Sequence, residues 1–485
     1  MNTPIRRTSL GVLLMFLSLF VAATMVQVVQ FDELREDPHN TRTLLQSYET
    51  ERGPILVNGE PIAYSTPVDT EYKYQRVYEH GELYANLTGY FTHTQGATGM
   101  ESAMNAELSG QSDAQFFEGL TALFTGNKPA GAAVELTIDP DVQQKAYDAL
   151  GDVQGSVVAM DPRTGQVIAM VSKPSYDPNE LVVPSTQEVL DKYTELLEDD
   201  SQPLFNRAIG GNLQHPGSSF KVVVATAALE NGLIKADTPL PNPPKYTLPG
   251  TSSVVYNPVH GQKCGDGETT NLKIALQYSC NIPFADLAIQ LGADKIRAQA
   301  EKFGFNKPLE IPLDVTPSVY PTEAMDQAQV GLTGFGQFDV RVSPLQMAMV
   351  SAAIENGGVL MKPQLVNQVV SADLNQLQGP QVSEYGRVMS EETAKTMNEL
   401  LLYSVSNGVA GSARIDGIDV GGKTGTAENG PDEPHTLWFT GYAASGNTHV
   451  AVAVMVEKGG GVDSASQDVL AATIGQQVLK AVLEQ

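Results

Sequence analysis

The sequence predicts a multidomain α/β protein. A large C-terminal domain with an antiparallel sheet flanked by helices is preceded by a smaller N-terminal domain and one transmembrane helix. Three observations carry this. The chain has 485 residues, too many for one compact core. An uncharged apolar run, Leu10 to Val29, is about 20 residues long, enough to cross a bilayer. Strand-like patterns stand at both ends of the C-terminal region, and a helical middle separates them.

Taken in order, Arg6 and Arg7 precede the apolar run, and Asp32, Glu33, Glu36 and Asp37 follow it. The positive-inside rule then places the N-terminus in the cytoplasm and the rest outside. A cleaved signal peptide is the alternative, but its core would be shorter and would end at a small-residue site. Apolar residues here continue to Val29, which favours a retained anchor. Residues 1–30 are therefore read as cytoplasmic tip and anchor. Residues 31–134 are read as an N-terminal domain that carries none of the chemical motifs below. Its polar, helix-like opening, Asp32 to Ser47, reads as a stalk. Short strand-like runs follow at Ile55-Leu56-Val57 and Ile62-Ala63-Tyr64. Leu120 to Ala133, with Gly126, Asn127, Pro129 and Gly131, reads as a linker.

Residues 135–485 form the large domain. It opens with a helix, Pro140 to Leu150, and a hairpin, Gly155 to Met160 and Gln166 to Val171. Residues 172–410 are mainly helical. Strands return at Asp419 to Thr426, Thr436 to Tyr442 and His449 to Glu457, and a helix runs from Gln467 to Leu483. Early hairpin and late strands can share one antiparallel sheet if the helical middle is an excursion. Helices then pack on both faces.

Composition excludes several classes. A formal net charge of −26 argues against a nucleic-acid surface. Two cysteines exclude a disulfide-rich scaffold and a four-cysteine zinc site. Seven histidines are scattered without metal-binding spacing, and His215, His435 and His449 read as structural. Gly459-Gly460-Gly461 opens no helix in the pattern of a phosphate-binding loop and reads as a flexible loop.

Three short strings carry chemistry. Ser218 and Lys221 lie three residues apart in His215-Pro216-Gly217-Ser218-Ser219-Phe220-Lys221, which reads as a helix entered through Pro-Gly. Positions i and i+3 share a helix face, so a nucleophile gains a base one turn away. Ser279-Cys280-Asn281 follows, and Lys423-Thr424-Gly425-Thr426 comes third. An isolated Ser-x-x-Lys is more often a capping serine and a solvated lysine. The ordered trio matches the signature set of serine β-lactamases and penicillin-binding proteins, with Cys280 where Asp is usual.

The chain resembles the class B penicillin-binding proteins, the monofunctional D,D-transpeptidases of bacterial cell-wall synthesis. Leu136-Thr137-Ile138-Asp139, Gly155 to Gly165, Asn206-Arg207-Ala208, Gly336-Gln337, Ser343 to Ala348 and Trp438 to Tyr442 add to the three strings. Strong similarity covers about 136–485. A looser one rests on Arg52-Gly53-Pro54-Ile55 and Gly99-Met100-Glu101. The resemblance implies a penicilloyl-serine transferase fold, similar to β-lactamases, and a cell-membrane location. It implies no cofactor and no metal. Its expected partners are peptidoglycan stem peptides, β-lactams, the membrane, a polytopic glycan polymerase and other cell-wall synthesis proteins.

Acyl transfer at serine needs a nucleophile, a base, an oxyanion hole and a specificity contact. Ser218 is the expected nucleophile and Lys221 the expected base. Lys221 must lose its proton to serve, which partial burial and a second cation, Lys423, would favour. Ser279 would stand between the two lysines and relay a proton to the leaving amine. Asn281 would hydrogen-bond a substrate amide and orient Lys221. The resemblance implies an oxyanion hole from the backbone N–H groups of Ser218 and Thr426. Lys423, Thr424 and Thr426 would bind the terminal carboxylate, and Gly425 would leave room for substrate backbone. Ser219 points about 100° away round the helix and is not the nucleophile. Trp438 would pack behind the Lys423 strand. Cys264 and Cys280 both lie outside the membrane, where a disulfide persists; two buried thiols are the alternative.

Other functions compete. A serine β-lactamase or D,D-carboxypeptidase would need no second domain and would show a deacylating Glu motif. A β-lactam-binding sensor would need several spans or a cytoplasmic output domain.

Overall fold

A computed structural model of the protein describes residues 3–30, 50–69, 72–115, 130–258, 261–309, 311–430, 433–459 and 468–485. The expected stalk, most of the expected linker, and Gly460 and Gly461 of the glycine loop lie outside these residues. Helix α1 (Thr3–Thr24) continues into a π-helical turn, Met25–Val29. Ile5–Val29 is 25 residues long with a mean hydropathy of 2.5, and none of the described residues buries it. At 1.5 Å per residue it spans about 37 Å, against about 30 Å of bilayer hydrocarbon.

Two sheets organise the rest. Their strands in chain order are β1 (Ile55–Val57), β2 (Glu60–Pro67), β3 (Tyr74–Tyr78), β4 (Ala133–Leu136), β5 (Gly155–Met160), β6 (Val167–Lys173), β7 (Val366–Val370), β8 (Gln376–Gln378), β9 (Val420–Ala427), β10 (Thr436–Ser445) and β11 (Thr448–Val456). The first sheet runs β8-β7-β4-β1-β2-β3, and the second runs β9-β10-β11-β5-β6. All pairs in the second are antiparallel, so the early hairpin and the late strands do share one sheet.

The principal helices after α1 are α2 (Pro140–Leu150), α3 (Lys221–Glu230), α4 (Ile282–Leu291), α5 (Pro344–Glu355) and α6 (Asp468–Leu483). Successive residues of the second sheet face opposite sides. Val157, Ala159, Phe439, Val452 and Val454 join a core with Val142 of α2 and Ile474 and Val478 of α6. Val158, Met160, Trp438, Ala453 and Met455 join a second core with α3 and α5. Burial on both faces explains why these strands are near-continuous apolar runs. Pro344 to Ile354 of α5 are all buried, and so are Lys221 to Ala228 of α3. Helices apolar all round belong inside a fold.

Local signals set the ends. The Asp139 carboxylate accepts from the Asp141 and Val142 N–H groups, Pro140 occupies the first turn, and Gly151 follows the last residue of α2.

The N-terminal region is less separate than its sequence suggests. The boundary expected after residue 134 falls inside β4, whose register runs parallel to β1 and antiparallel to β7. Strands β7 and β8 come from the large domain and complete the sheet of the smaller one. Composition cannot show such an exchange, because it depends on a pairing more than two hundred residues apart.

Inside this lobe, Glu101 binds two arginines with its side chain fully buried. Arg52 Nε donates to Oε2 at 2.5 Å and Arg76 Nε donates to Oε1 at 2.6 Å. The Arg52 guanidinium also stacks on Phe91, 4.3 Å from the ring centroid.

Candidate active site

The three sequence strings sit on three different elements and converge at the outer strand of the second sheet. The first lies on a 3-10 turn, Gly217–Phe220, that leads directly into α3. This refines the expected continuous α-helix. In a 3-10 turn positions i and i+3 eclipse, which brings Ser218 and Lys221 closer to alignment. Lys221 Nζ donates to Ser218 Oγ at 2.8 Å. Ser218 is partly exposed and Lys221 is fully buried. A reagent can therefore reach the hydroxyl while the amine stays shielded from water.

Lys221 Nζ makes further contacts. It donates to the Ser279 carbonyl at 2.6 Å and to Asn281 Oδ1 at 2.8 Å. It also lies 5.6 Å from the Phe284 ring centroid. The second string follows a short helix, Leu272–Gln277, and ends where α4 begins. Ser279 has a φ of 56°, in the left-handed region that costs a residue with a Cβ. This conformation lets one residue serve both lysines. Its carbonyl accepts from Lys221, while its Oγ accepts from Lys423 Nζ at 2.7 Å.

Lys423 is on β9, fully buried, and donates also to the Thr424 carbonyl at 2.8 Å. Thr424 and Gly425 are buried and Thr426 is partly exposed. Strand β9 is an end strand of its sheet and pairs there with β10 alone among the described residues.

The space beside Gly425 is taken by the chain itself. A Cβ there would lie 2.7 Å from Pro216 O and 3.0 Å from the Ser219 nitrogen. The 3-10 turn thus presses on the third string. Gly217 is pinned similarly. Its φ is 51°, and a Cβ on it would stand 2.3 Å from Thr426 O. Its N–H donates to the Gly336 carbonyl at 3.1 Å, and a Cβ on Gly336 would lie 2.0 Å from Gly217 O. Only glycine fits at these crossings. The backbones that carry Ser218 and Thr426 meet here, where two N–H groups could share one oxyanion.

Neighbouring groups fix the turn. Trp438, buried beside Gly425 on β10, donates from Nε1 to the His215 carbonyl at 2.8 Å. His215 Nδ1 lies 3.0 Å from the Val340 carbonyl. Burial, then the nearby Arg341, hold its imidazole below the ordinary histidine range, so it is neutral at pH 7. Ser219 Oγ donates to Pro216 O at 2.7 Å and is fully buried. It is a tie within the turn. Cys264 and Cys280 are joined by a disulfide, with Cys280 between Ser279 and Asn281. Sequence reasoning named Gly217 and Gly336 without their packing role, and did not find Phe284 or Tyr256. Only the positive-φ glycines left a trace that could have been read.

The whole chain can be compared with known proteins. Residues 155–480 match the penicillin binding protein transpeptidase domain, and residues 52–134 match the penicillin binding protein A dimerisation domain. The peptidoglycan D,D-transpeptidase PbpA of Mycolicibacterium smegmatis is 38% identical over all of both chains. PbpA of Mycobacterium tuberculosis is also 38% identical, over 100% of this chain and 99% of its own. The solved penicillin-binding protein A from M. tuberculosis, as its ceftriaxone acyl-enzyme complex, superposes with a TM-score of 0.85 at 36% identity. It covers 90% of this chain and 100% of that one. Full-length similarity and the paired serine and lysine at the sheet edge lead to one assignment: the chain belongs to the penicillin-binding protein transpeptidase family.

Proposed function

We propose that this protein is a peptidoglycan D,D-transpeptidase that works through an acyl-enzyme on Ser218. The observation that carries this is the contact of buried Lys221 Nζ with partly exposed Ser218 Oγ. Ser218 Oγ attacks the carbonyl of the penultimate D-alanine of a stem peptide. Lys221 takes the hydroxyl proton, and Asn281 and the Ser279 carbonyl orient its amine. The Oγ–C bond forms and the C–N bond to the terminal D-alanine breaks. The leaving amine receives its proton through Ser279 Oγ, which Lys423 contacts. The N–H groups of Ser218 and Thr426 hold the oxyanion. An amine of a second stem peptide then attacks the acyl carbon and the Oγ–C bond breaks; the amine's proton passes back through Ser279 Oγ and Lys221 to Ser218 Oγ, leaving a cross-link. Lys423, Thr424 and Thr426 bind the donor's terminal carboxylate. A β-lactam enters the same first step and remains as the acyl group.

The apolar helix α1 anchors the chain, with its N-terminus in the cytoplasm and the catalytic residues outside, as Arg6 and Arg7 favour. Residues 31–134 serve as a non-catalytic domain that links anchor to chemistry. A polytopic glycan polymerase and other cell-wall synthesis proteins are its protein partners.

The test is acylation of the full chain in detergent by labelled penicillin, with the adduct mapped by mass spectrometry. A donor peptide ending in D-Ala-D-Ala and an amine acceptor are assayed beside it. The expected adduct is on Ser218, and Ser218→Ala abolishes it while the chain stays folded. An adduct on Ser219, or one that persists in Ser218→Ala, overturns the mechanism.

A further inference from the structure

Asn281 occupies the residue before α4, where an asparagine ordinarily turns its side-chain oxygen onto the N–H groups of the helix's second or third residue. It makes no such bond. Its Oδ1 instead accepts from Lys221 Nζ at 2.8 Å. One of those two N–H groups is missing. Pro283 stands at the second helical position and has no N–H to offer. The N–H of Ile282, the first helical residue, is taken by the side chain of Asn257, whose Oδ1 accepts it at 3.2 Å.

Asn257 is 3% exposed and comes from a separate loop. The residue before it, Tyr256, accepts the other half of the Asn281 amide. Asn281 Nδ2 donates to the Tyr256 carbonyl at 2.9 Å. That contact sets which way the amide faces and leaves the oxygen for Lys221. Asn257 Nδ2 donates in turn to the Gln262 carbonyl at 3.2 Å. The loop is tied again at Cys264. Its N–H donates to Asn242 Oδ1 at 2.6 Å, and its sulfur is bonded to Cys280. The segment thus holds Ser279–Ile282 from two sides.

We infer that Asn257 is a positioning residue for the acyl-transfer reaction. It holds the first N–H of α4 and, with Tyr256 beside it, fixes the helix start from which Asn281 orients the Lys221 amine. The same helix start carries Phe284 beneath that amine, so displacement of its first turn disturbs two contacts of Lys221. The side chain of Asn257 bonds to Gln262 and Ile282 and not to Ser218. It acts through Asn281, and its effect belongs to the rate of acylation and not to noncovalent binding. The inference rests on the acyl-transfer reading proposed above.

The experiment compares full-length parent, Asn257→Ala and Asn257→Asp in detergent. Aspartate keeps an oxygen for the Ile282 N–H, but it loses the bond to Gln262 and sets a buried carboxyl group against that carbonyl. Penicillin acylation is followed by stopped flow, separating the noncovalent constant from the acylation rate constant, over pH 6 to 10. Thermal unfolding checks that each variant is folded. Alanine should lower the acylation rate constant by roughly 10- to 100-fold, the scale of a misplaced catalytic group, with the noncovalent constant nearly unchanged. Its pH–rate profile should shift, because the base has lost its orienting contact. Aspartate should recover most of the rate. Crystal structures of parent and Asn257→Ala supply a readout independent of activity: in the variant, Asn281 Oδ1 should leave Lys221. A folded Asn257→Ala with parental rate and pH profile overturns the inference, as does an unchanged Asn281–Lys221 contact in its crystal structure. So does a folded aspartate variant as slow as alanine. A parent that penicillin does not acylate refutes the functional reading instead, and the structural arm still decides the role of Asn257.

Discussion

Gly425 and Pro216 approach so closely that no side chain fits between them. A Cβ on Gly425 would meet the Pro216 carbonyl oxygen at 2.7 Å. The strand with the third string and the turn with the nucleophile are thereby in register. Gly425→Ala must push them apart, and displacements of this size cost reaction geometry more than stability. Acylation by penicillin should fall by about 100-fold, with unfolding easier by roughly 1–3 kcal/mol. Stopped-flow acylation and thermal melts check both, and a parental acylation rate would show that the contact is slack.

Lys221→Arg keeps the charge beside Ser218 but cannot give up its proton at working pH. Acylation should drop by at least about 100-fold, the scale of general-base catalysis. The fold should survive, since Ser279 O and Asn281 Oδ1 can still accept from a cation. Near-normal acylation by a folded arginine variant would reduce Lys221 to an electrostatic contact.

The Cys264–Cys280 disulfide closes a loop with a sequence separation of 16 and ends inside the second string. Removing it, by mild reduction or by changing both cysteines to alanine, should cost about 3 kcal/mol of stability. It should also slow acylation, because Ser279 and Asn281 flank the bonded residue. Parallel measurement of melting and acylation separates the effects. Loss of stability with unaltered acylation would confine the bridge to the fold.

Glu101 gives a pH dependence with a definite sign. Burial acts to raise its carboxyl pKa, but the charges of Arg76 and Arg52 and their hydrogen bonds outweigh burial and hold it below the ordinary range. A folded-state value below the unfolded one contributes stability that is present above the ordinary carboxyl pKa, near 4.3. That contribution is lost as pH falls from there through the folded value. Glu101→Gln leaves two buried guanidinium groups facing a neutral amide and should cost roughly 3–5 kcal/mol at pH 7. The gap between parent and variant should narrow below about pH 4. Melts from pH 7 to pH 3 check this, and a gap constant with pH would show that Glu101 contributes no ionic term.

Much of the catalytic sheet was legible in the sequence, for a physical reason. Strands buried on both faces read as apolar runs, and Gly155–Met160 or Thr448–Val456 can hardly be anything else. The Ser218, Ser279 and Lys423 strings were readable because each packs its chemistry into three or four consecutive residues. What escaped depends on tertiary contact. Asn257 is one polar residue in a loop until Ile282 folds against it. Gly217 and Gly336 look like ordinary turn residues until their backbones cross. The 3-10 turn at Gly217–Phe220 looks like the first turn of α3 because the same side chains suit both. The pairing of β4 with β7 leaves no local signal at all.

That pairing bears on how the protein assembles. Synthesis runs from the N-terminus, and domains commonly fold in that order. Here the small lobe cannot follow the rule to completion. Its β4 has an unmatched edge until Val366–Val370 has been made, by which point most of the large lobe exists. Pairings this distant in sequence form slowly. In the interval the open strand can pair with a wrong chain, and the first lobe becomes whole only when a strand ahead of β9, β10 and β11 has been added.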